Sequence, residues 1–156
     1  MALGQIGDAR ASHALMAVLR ADREPEVRKA AAYSLGQIGT SEVLDALLQT
    51  VSNGTEASSV RGMAVEALTY LRESSGHVVS TLRAVLGDPA PEVRFWAAFA
   101  LGELGDPAAL EDLRRVTSDT GKVPGYGSVA DEAKEAIARI EERNREVGIP
   151  EFPQAT

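Results

Sequence analysis

The chain of 156 residues contains no cysteine. That absence excludes a disulfide framework, a thiolate metal site and a cysteine nucleophile, and it suits a reducing compartment. Histidine is nearly as scarce: His13 and His77 fall on different predicted helices, with no histidine or cysteine nearby to complete a metal set, so both read as solvated side chains. No uncharged apolar run approaches the roughly 18 residues a membrane span needs, and no basic-then-apolar leader opens the sequence. A cytoplasmic protein is expected, with no membrane partner. Basic charge is short as well. The 16 Lys and Arg against 23 Asp and Glu give a formal charge of −7, which opposes the phosphate contacts on which nucleic-acid binding rests. No segment alternates apolar and polar residues with period two, so no strand is expected.

What the chain does have is repetition. Pro25-Glu26-Val27-Arg28 running to Leu35-Gly36-Gln37-Ile38-Gly39 returns as Val60-Arg61 running to Leu68-Thr69-Tyr70-Leu71, and again as Pro91-Glu92-Val93-Arg94 running to Leu101-Gly102-Glu103-Leu104-Gly105. Val27, Val60 and Val93 are spaced by 33 residues each time. A fixed period of that size marks a solenoid, in which each unit buries its apolar face only against its neighbours. Within a unit the apolar spacing is helical: Val27, Ala31, Ser34, Leu35 and Ile38 share one arc of the helical wheel, as do Val93, Ala97, Ala100, Leu101 and Leu104. The preceding helices show the same logic in Val43, Leu44, Leu47, Leu48 and Val51, and in Val78, Val79, Leu82, Val85 and Leu86.

Asp88-Pro89 and Asp106-Pro107 read as an N-cap followed by the first helical residue, and Gly39 and Gly105 as C-terminal stops. The fold class expected is all-α, a right-handed superhelix of stacked helical hairpins in one domain over residues 1–147. Its parts are a half-unit at 1–7, units at about 8–39, 40–72, 73–105 and 106–147 with a capping helix, and a tail at 148–156.

The combination of Asp-Pro, Val-Arg and Ala-Ala-x-Ala-Leu-Gly-x-[Ile/Leu]-Gly resembles the short HEAT-like repeat of the phycobilisome-lyase type, which is also used in designed alpha-repeat scaffolds. The resemblance covers roughly residues 1–140 and speaks to fold, because its motif residues are packing residues. Thr69 and Arg72 depart from it by standing where glycines are expected. Tetratricopeptide and ankyrin landmarks are missing. The di-iron hydroxylases with HEAT-like repeats carry paired His-Glu motifs, and this chain contains no His-Glu dipeptide, which sets that enzyme class aside.

In families of this kind the arc beside the core arc on each second helix lines the concave face. Here it presents Tyr33, Gln37, Met63, Glu66, Tyr70, Glu92, Phe95, Trp96, Phe99 and Glu103, followed by Asp131, Glu132, Glu135 and Arg139 on the last helix. Aromatics among polar groups are what binding hot spots use. The competing reading is that Phe95, Trp96 and Phe99 fill a gap between neighbouring units. The insertion at 117–128 adds Lys122 and Tyr126 and is either a flap over a bound partner or a tolerated insertion. Its Asp119-Thr120-Gly121 and Gly121-Lys122 lack the context of an aspartic-protease or phosphate-loop motif. Arg28, Arg61 and Arg94 recur in register with the core and read as a structural ladder meeting Asp8, Asp106 or carbonyl groups.

The function expected from these residues is a non-enzymatic scaffold. It would bind a protein or peptide with basic and apolar side chains on its concave face, with no catalytic residue, metal or cofactor. Replacing both Trp96 and Phe99 by alanine is expected to remove binding and leave the helices intact. Two alternatives stay open: a bilin-handling subunit related to the lyases, and a self-associating structural module.

Overall fold

The structure, a computed structural model, describes the backbone of residues 2–147 and the side chains of residues 10–146. The side chains of the expected half-unit 1–7 and the expected tail 148–156 lie outside the described residues. The chain folds as an all-α solenoid. Its helices are α1 (Ala2–Ala21), α2 (Pro25–Ile38), α3 (Ser41–Ser52), α4 (Ser58–Leu71), α5 (Gly76–Val85), α6 (Pro91–Leu104), α7 (Leu110–Arg115, preceded by a 3-10 turn at Pro107–Ala109) and α8 (Val129–Val147). Helix α1 passes unbroken through Gly7, where the sequence pattern places a unit junction.

Even-numbered helices form the inner layer, with α4 packed between α2 and α6, and α6 between α4 and α8. The core runs between this layer and the outer helices. Leu35, Leu68 and Leu101 are fully buried from the inner side, and Val43, Leu47, Val51, Val78, Leu82 and Leu113 meet them from the outer side. Small residues set the spacing of the inner layer. A methyl group on Gly36 would lie 2.8 Å from Ala67 Cβ, and one on Gly102 would lie 2.8 Å from Ala136 Cα, so these helices approach as closely as backbone allows. Val27 departs from its repeat partners: Val60 and Val93 are fully buried, whereas Val27 is 42% exposed. The physical reason is that α2 has an inner helix beside it on one side only among the described residues, so the first valine has no neighbour to cover it.

Helix ends follow the sequence in part. Gly39 and Gly105 adopt left-handed φ values of 72° and 74° and end α2 and α6. Arg72 takes the same left-handed role at φ 49° without being glycine. Asp106 is an N-cap, accepting from Ala108 N at 2.8 Å, but Asp88 is not. Because Pro91 occupies the first turn of α6 and restrains the residue before it, Ala90 stays extended as the cap residue, and Asp88 accepts from Ala90 N at 2.8 Å in the preceding turn.

The expectation of no strand fails locally. Lys122–Val123 (β1) and Gly127–Ser128 (β2) pair antiparallel, with Lys122 opposite Ser128 and Val123 opposite Gly127. Two residues per strand are too few to display an alternating pattern, and the pairing is set by the turn.

The arginine ladder exists, with other partners than the sequence suggested. Arg28 binds Glu56 through Nε at 3.0 Å and Nη2 at 2.6 Å, Arg61 binds Asp88, and Arg94 binds Asp119 through Nε at 2.6 Å and Nη2 at 3.0 Å. Each also donates backwards to a carbonyl in the loop before its own helix, Asp22 O, Glu56 O and Asp88 O respectively. One guanidinium thus ties two successive loops together. Asp106 takes no part, and Asp8 has no described side chain. The bidentate geometry holds Glu56 and Asp119 below the usual carboxylate range, with the hydrogen bond from the arginine as the main cause.

Candidate functional site: a cleft between α4, α6 and α8

Spacing along α6 brings three aromatic rings to the inner face. Phe95 and Trp96 are buried, at 4% and 8% exposure, and Phe99 one turn later is half-buried. The expectation that these rings are spared from interior duty is therefore corrected: all three pack against the core, and α6 has inner neighbours on both sides that claim them. They nevertheless border an open space. A cleft of about 1140 Å³ lies beside them, walled by α4 through Glu66, Thr69 and Tyr70, by α6 through Phe95, Trp96, Phe99 and Glu103, by the β1–β2 turn through Tyr126, and by α8 through Glu132 and Arg143.

The rings interlock edge to face. Trp96 stands at right angles to Phe95 and to Phe99, with centroids 5.4 Å and 5.6 Å apart. Tyr126 lies 5.0 Å from Trp96 and 5.9 Å from Phe95 by ring centroids, although it is 63% exposed. This makes a stiff apolar wall with polar tips. Opposite, the Tyr70 hydroxyl donates to Glu66 Oε1 at 3.0 Å. Burial, reinforced by that carboxylate, pushes the phenol up to about 12, so it remains a donor at any physiological pH.

At the α8 side Glu132 is buried and paired with Arg139, which also stands 3.7 Å from Glu103 and 3.9 Å from Glu135 and lies over the Phe99 ring at 5.3 Å. Burial raises the Glu132 carboxyl above its usual range, and the Arg139 hydrogen bond works against that rise. Arg143 donates through Nη1 to Glu103 O at 2.8 Å, closing that end.

Of the residues singled out from sequence, Gln37, Glu66, Tyr70, Phe95, Trp96, Phe99, Glu103, Tyr126 and Glu132 come together around the cleft. Tyr33 is exposed beside it, edge-on to Tyr70 with centroids 6.3 Å apart. Met63 packs against the core, Glu92 lies near Gly62, and Lys122 is exposed on β1; none of these borders the cleft. Thr69, Arg72, Ser74, Leu104 and Arg143 line it without having been picked. Thr69 and Arg72 had a visible signal, since each replaces a repeat glycine. Arg143 had none, being one charge among many on a terminal helix.

The family model for HEAT repeats matches residues 1–68 and 53–123. The chain belongs to the HEAT-repeat family. Among curated proteins, this HEAT-repeat chain is 35% identical over 125 residues to deoxyhypusine hydroxylase of Gallus gallus, a match covering 66% of this chain and 42% of that protein. It is 38% identical over 91 residues to deoxyhypusine hydroxylase of Bos taurus, covering 57% of this chain and 30% of that protein. The chain thus spans less than half the length of either relative. Human deoxyhypusine hydroxylase, solved in complex with glycerol, superposes with a TM-score of 0.72 at 25% identity over 99% of this chain and 52% of that one. The complex of CpcE and CpcF of phycocyanin lyase from Nostoc shares the fold, with a TM-score of 0.69 at 24% identity over 85% of this chain and 54% of that one.

These relatives overturn the expected non-enzymatic scaffold, because the curated proteins and the human structure bear the name of an enzyme. They also restore the link to hydroxylases that the missing His-Glu dipeptide had severed. A di-iron centre on paired His-Glu motifs still does not fit the described residues. No group of three or more His, Cys, Asp or Glu side chains among them is arranged to hold a metal, and His13 and His77 are exposed on outer helices away from the cleft. No helix among the described residues is long and apolar enough to cross a membrane.

Proposed function

We propose that this chain serves a deoxyhypusine-hydroxylase type of enzyme by holding the amine-bearing side chain of the substrate in the cleft between α4, α6 and α8. Deoxyhypusine is a lysine lengthened by an aminoalkyl arm, so its side chain is long, flexible and cationic. The observation that carries the reading is that an aromatic wall, Phe95, Trp96, Phe99 and Tyr126, lines the same cleft as the carboxylate of Glu66. Rings accept methylenes and attract ammonium groups by their faces, and a carboxylate fixes the charged end.

Trp96 is the single tryptophan of the chain and borders the cleft, so its emission reports occupancy directly. A peptide carrying deoxyhypusine is expected to change that emission saturably, and the same peptide with norleucine at that position is expected to leave it unchanged. Equal responses to both peptides, or no response to either, would refute the proposal.

A further inference from the structure

Three glutamates border the cleft, and two of them are already committed. Glu132 is paired with Arg139, and Glu103 shares that guanidinium at 3.7 Å while Arg143 holds its carbonyl. Glu66 differs. Its carboxylate receives only the neutral Tyr70 hydroxyl at 3.0 Å, and no Lys, Arg or His nitrogen among the described residues lies within ion-pair distance of it. Two further contacts fix its place on α4: Thr69 Oγ1 donates to Glu66 O at 2.6 Å, and Tyr33 buttresses the Tyr70 ring edge-on. The result is a half-buried anion held by a partly exposed tyrosine, lining the same cleft as the interlocked rings.

We infer that Glu66 is the residue that selects an ammonium ligand in this cleft, and that Tyr70 is its positioning residue. The occupant is a primary alkylammonium: its charged end meets Glu66 and its methylenes lie along Trp96 and Phe99. The α8 end cannot serve the same purpose, because Arg139 and Arg143 already offer cations there and would repel another. This assignment rests on the reading of the cleft as an amine site and adds which carboxylate decides it.

Hexylamine and 1-hexanol, of matched length, separate charge recognition from apolar filling, again followed through Trp96 emission at neutral pH. In the unaltered chain the amine is expected to bind about tenfold more tightly than the alcohol, the scale of one charge-assisted hydrogen bond in a partly dry site. Glu66→Gln should bring the two affinities together by weakening the amine alone, and Glu66→Asp should restore part of the preference. Tyr70→Phe should lower amine affinity several-fold and leave the alcohol unchanged, an outcome a merely structural tyrosine would not give. If the unaltered chain prefers neither ligand, the amine-cleft reading itself fails. If it prefers the amine and Glu66→Gln keeps that preference, the cleft reading survives and the assignment to Glu66 is overturned. A Tyr70→Phe variant that weakens both ligands alike removes the positioning role.

Discussion

Arg94 grips Asp119 with two parallel hydrogen bonds, 2.6 Å from Nε and 3.0 Å from Nη2, and so fastens the β1–β2 hairpin to the aromatic helix α6. The same aspartate accepts from Gly121 N at 2.8 Å and, through its carbonyl, from Ala130 N at 3.1 Å at the start of α8. Between these anchors Tyr126 is held against Trp96. The last rung of the arginine ladder is thus also the strut that completes the cleft, which makes the hairpin a fixed wall.

Asp119→Asn should expose that coupling. Losing one charge of a largely shielded bidentate pair is expected to cost about 1–3 kcal/mol. Arg94 holds the carboxyl below its ordinary 3.8, so the stabilisation is fully present above that pH and fades as pH falls through the lower, folded value. Denaturant melts at pH 7 and pH 3 should therefore show a wide gap between the two chains at pH 7 that narrows at pH 3. A gap independent of pH would mean the pair contributes through shape alone. The Trp96 emission maximum of the variant should move to longer wavelength as Tyr126 loosens.

Arg72 offers the opposite sign. It ends α4 in a left-handed conformation, φ 49°, where Gly39 and Gly105 end the equivalent helices, and a side chain there crowds its own backbone. Arg72→Gly is expected to stabilise the fold by about 0.5–1 kcal/mol, the relief of that strain less the extra chain entropy glycine brings. A thermal melt by circular dichroism checks it. Because Arg72 lines the cleft, the same variant removes a cation from the wall and should tighten hexylamine modestly.

The repeat was legible because it is written in the residues that pack: Leu35, Leu68 and Leu101 recur at one spacing and all three are buried. The ladder was legible in its arginines and not in its partners. The partners are one glutamate, Glu56, and two aspartates, Asp88 and Asp119, which stand 28, 27 and 25 residues after the arginine they bind, so no fixed spacing marks them. The arc that faces the cleft was also visible on the helical wheel, and Glu66, Tyr70, Phe99 and Glu103 of that arc line the cleft. Whether a ring on that arc is wall or core was not readable, since it depends on how near the next inner helix comes. Near Gly102 that approach is as close as backbone permits, and nearly two turns earlier Trp96 is largely covered. Likeness to the hydroxylases in particular was not readable from the motifs, although the repeat residues carried the resemblance to the lyase type. It resides in the chain as a whole, while the His-Glu pairs that would have signalled it are missing from this chain.

Trp96 carries the last prediction, because its burial reverses what the sequence suggested for the double alanine variant. With 8% exposure and three aromatic neighbours, the indole fills core volume that alanine leaves empty. Trp96→Ala is expected to cost about 3–5 kcal/mol, which for a chain of this size lowers the melting temperature by roughly 10 °C. Trp96→Phe keeps most of the volume and should recover more than half of that loss. Phe99→Ala, at a half-buried site over which Arg139 lies, should cost less and leave the helices formed at 25 °C, which makes it the cleaner probe of the cleft. Circular dichroism melts of the three variants decide the matter: Trp96→Ala melting within about 2 °C of the unaltered chain would place the indole outside the core, since a filled cavity of that size cannot be emptied so cheaply.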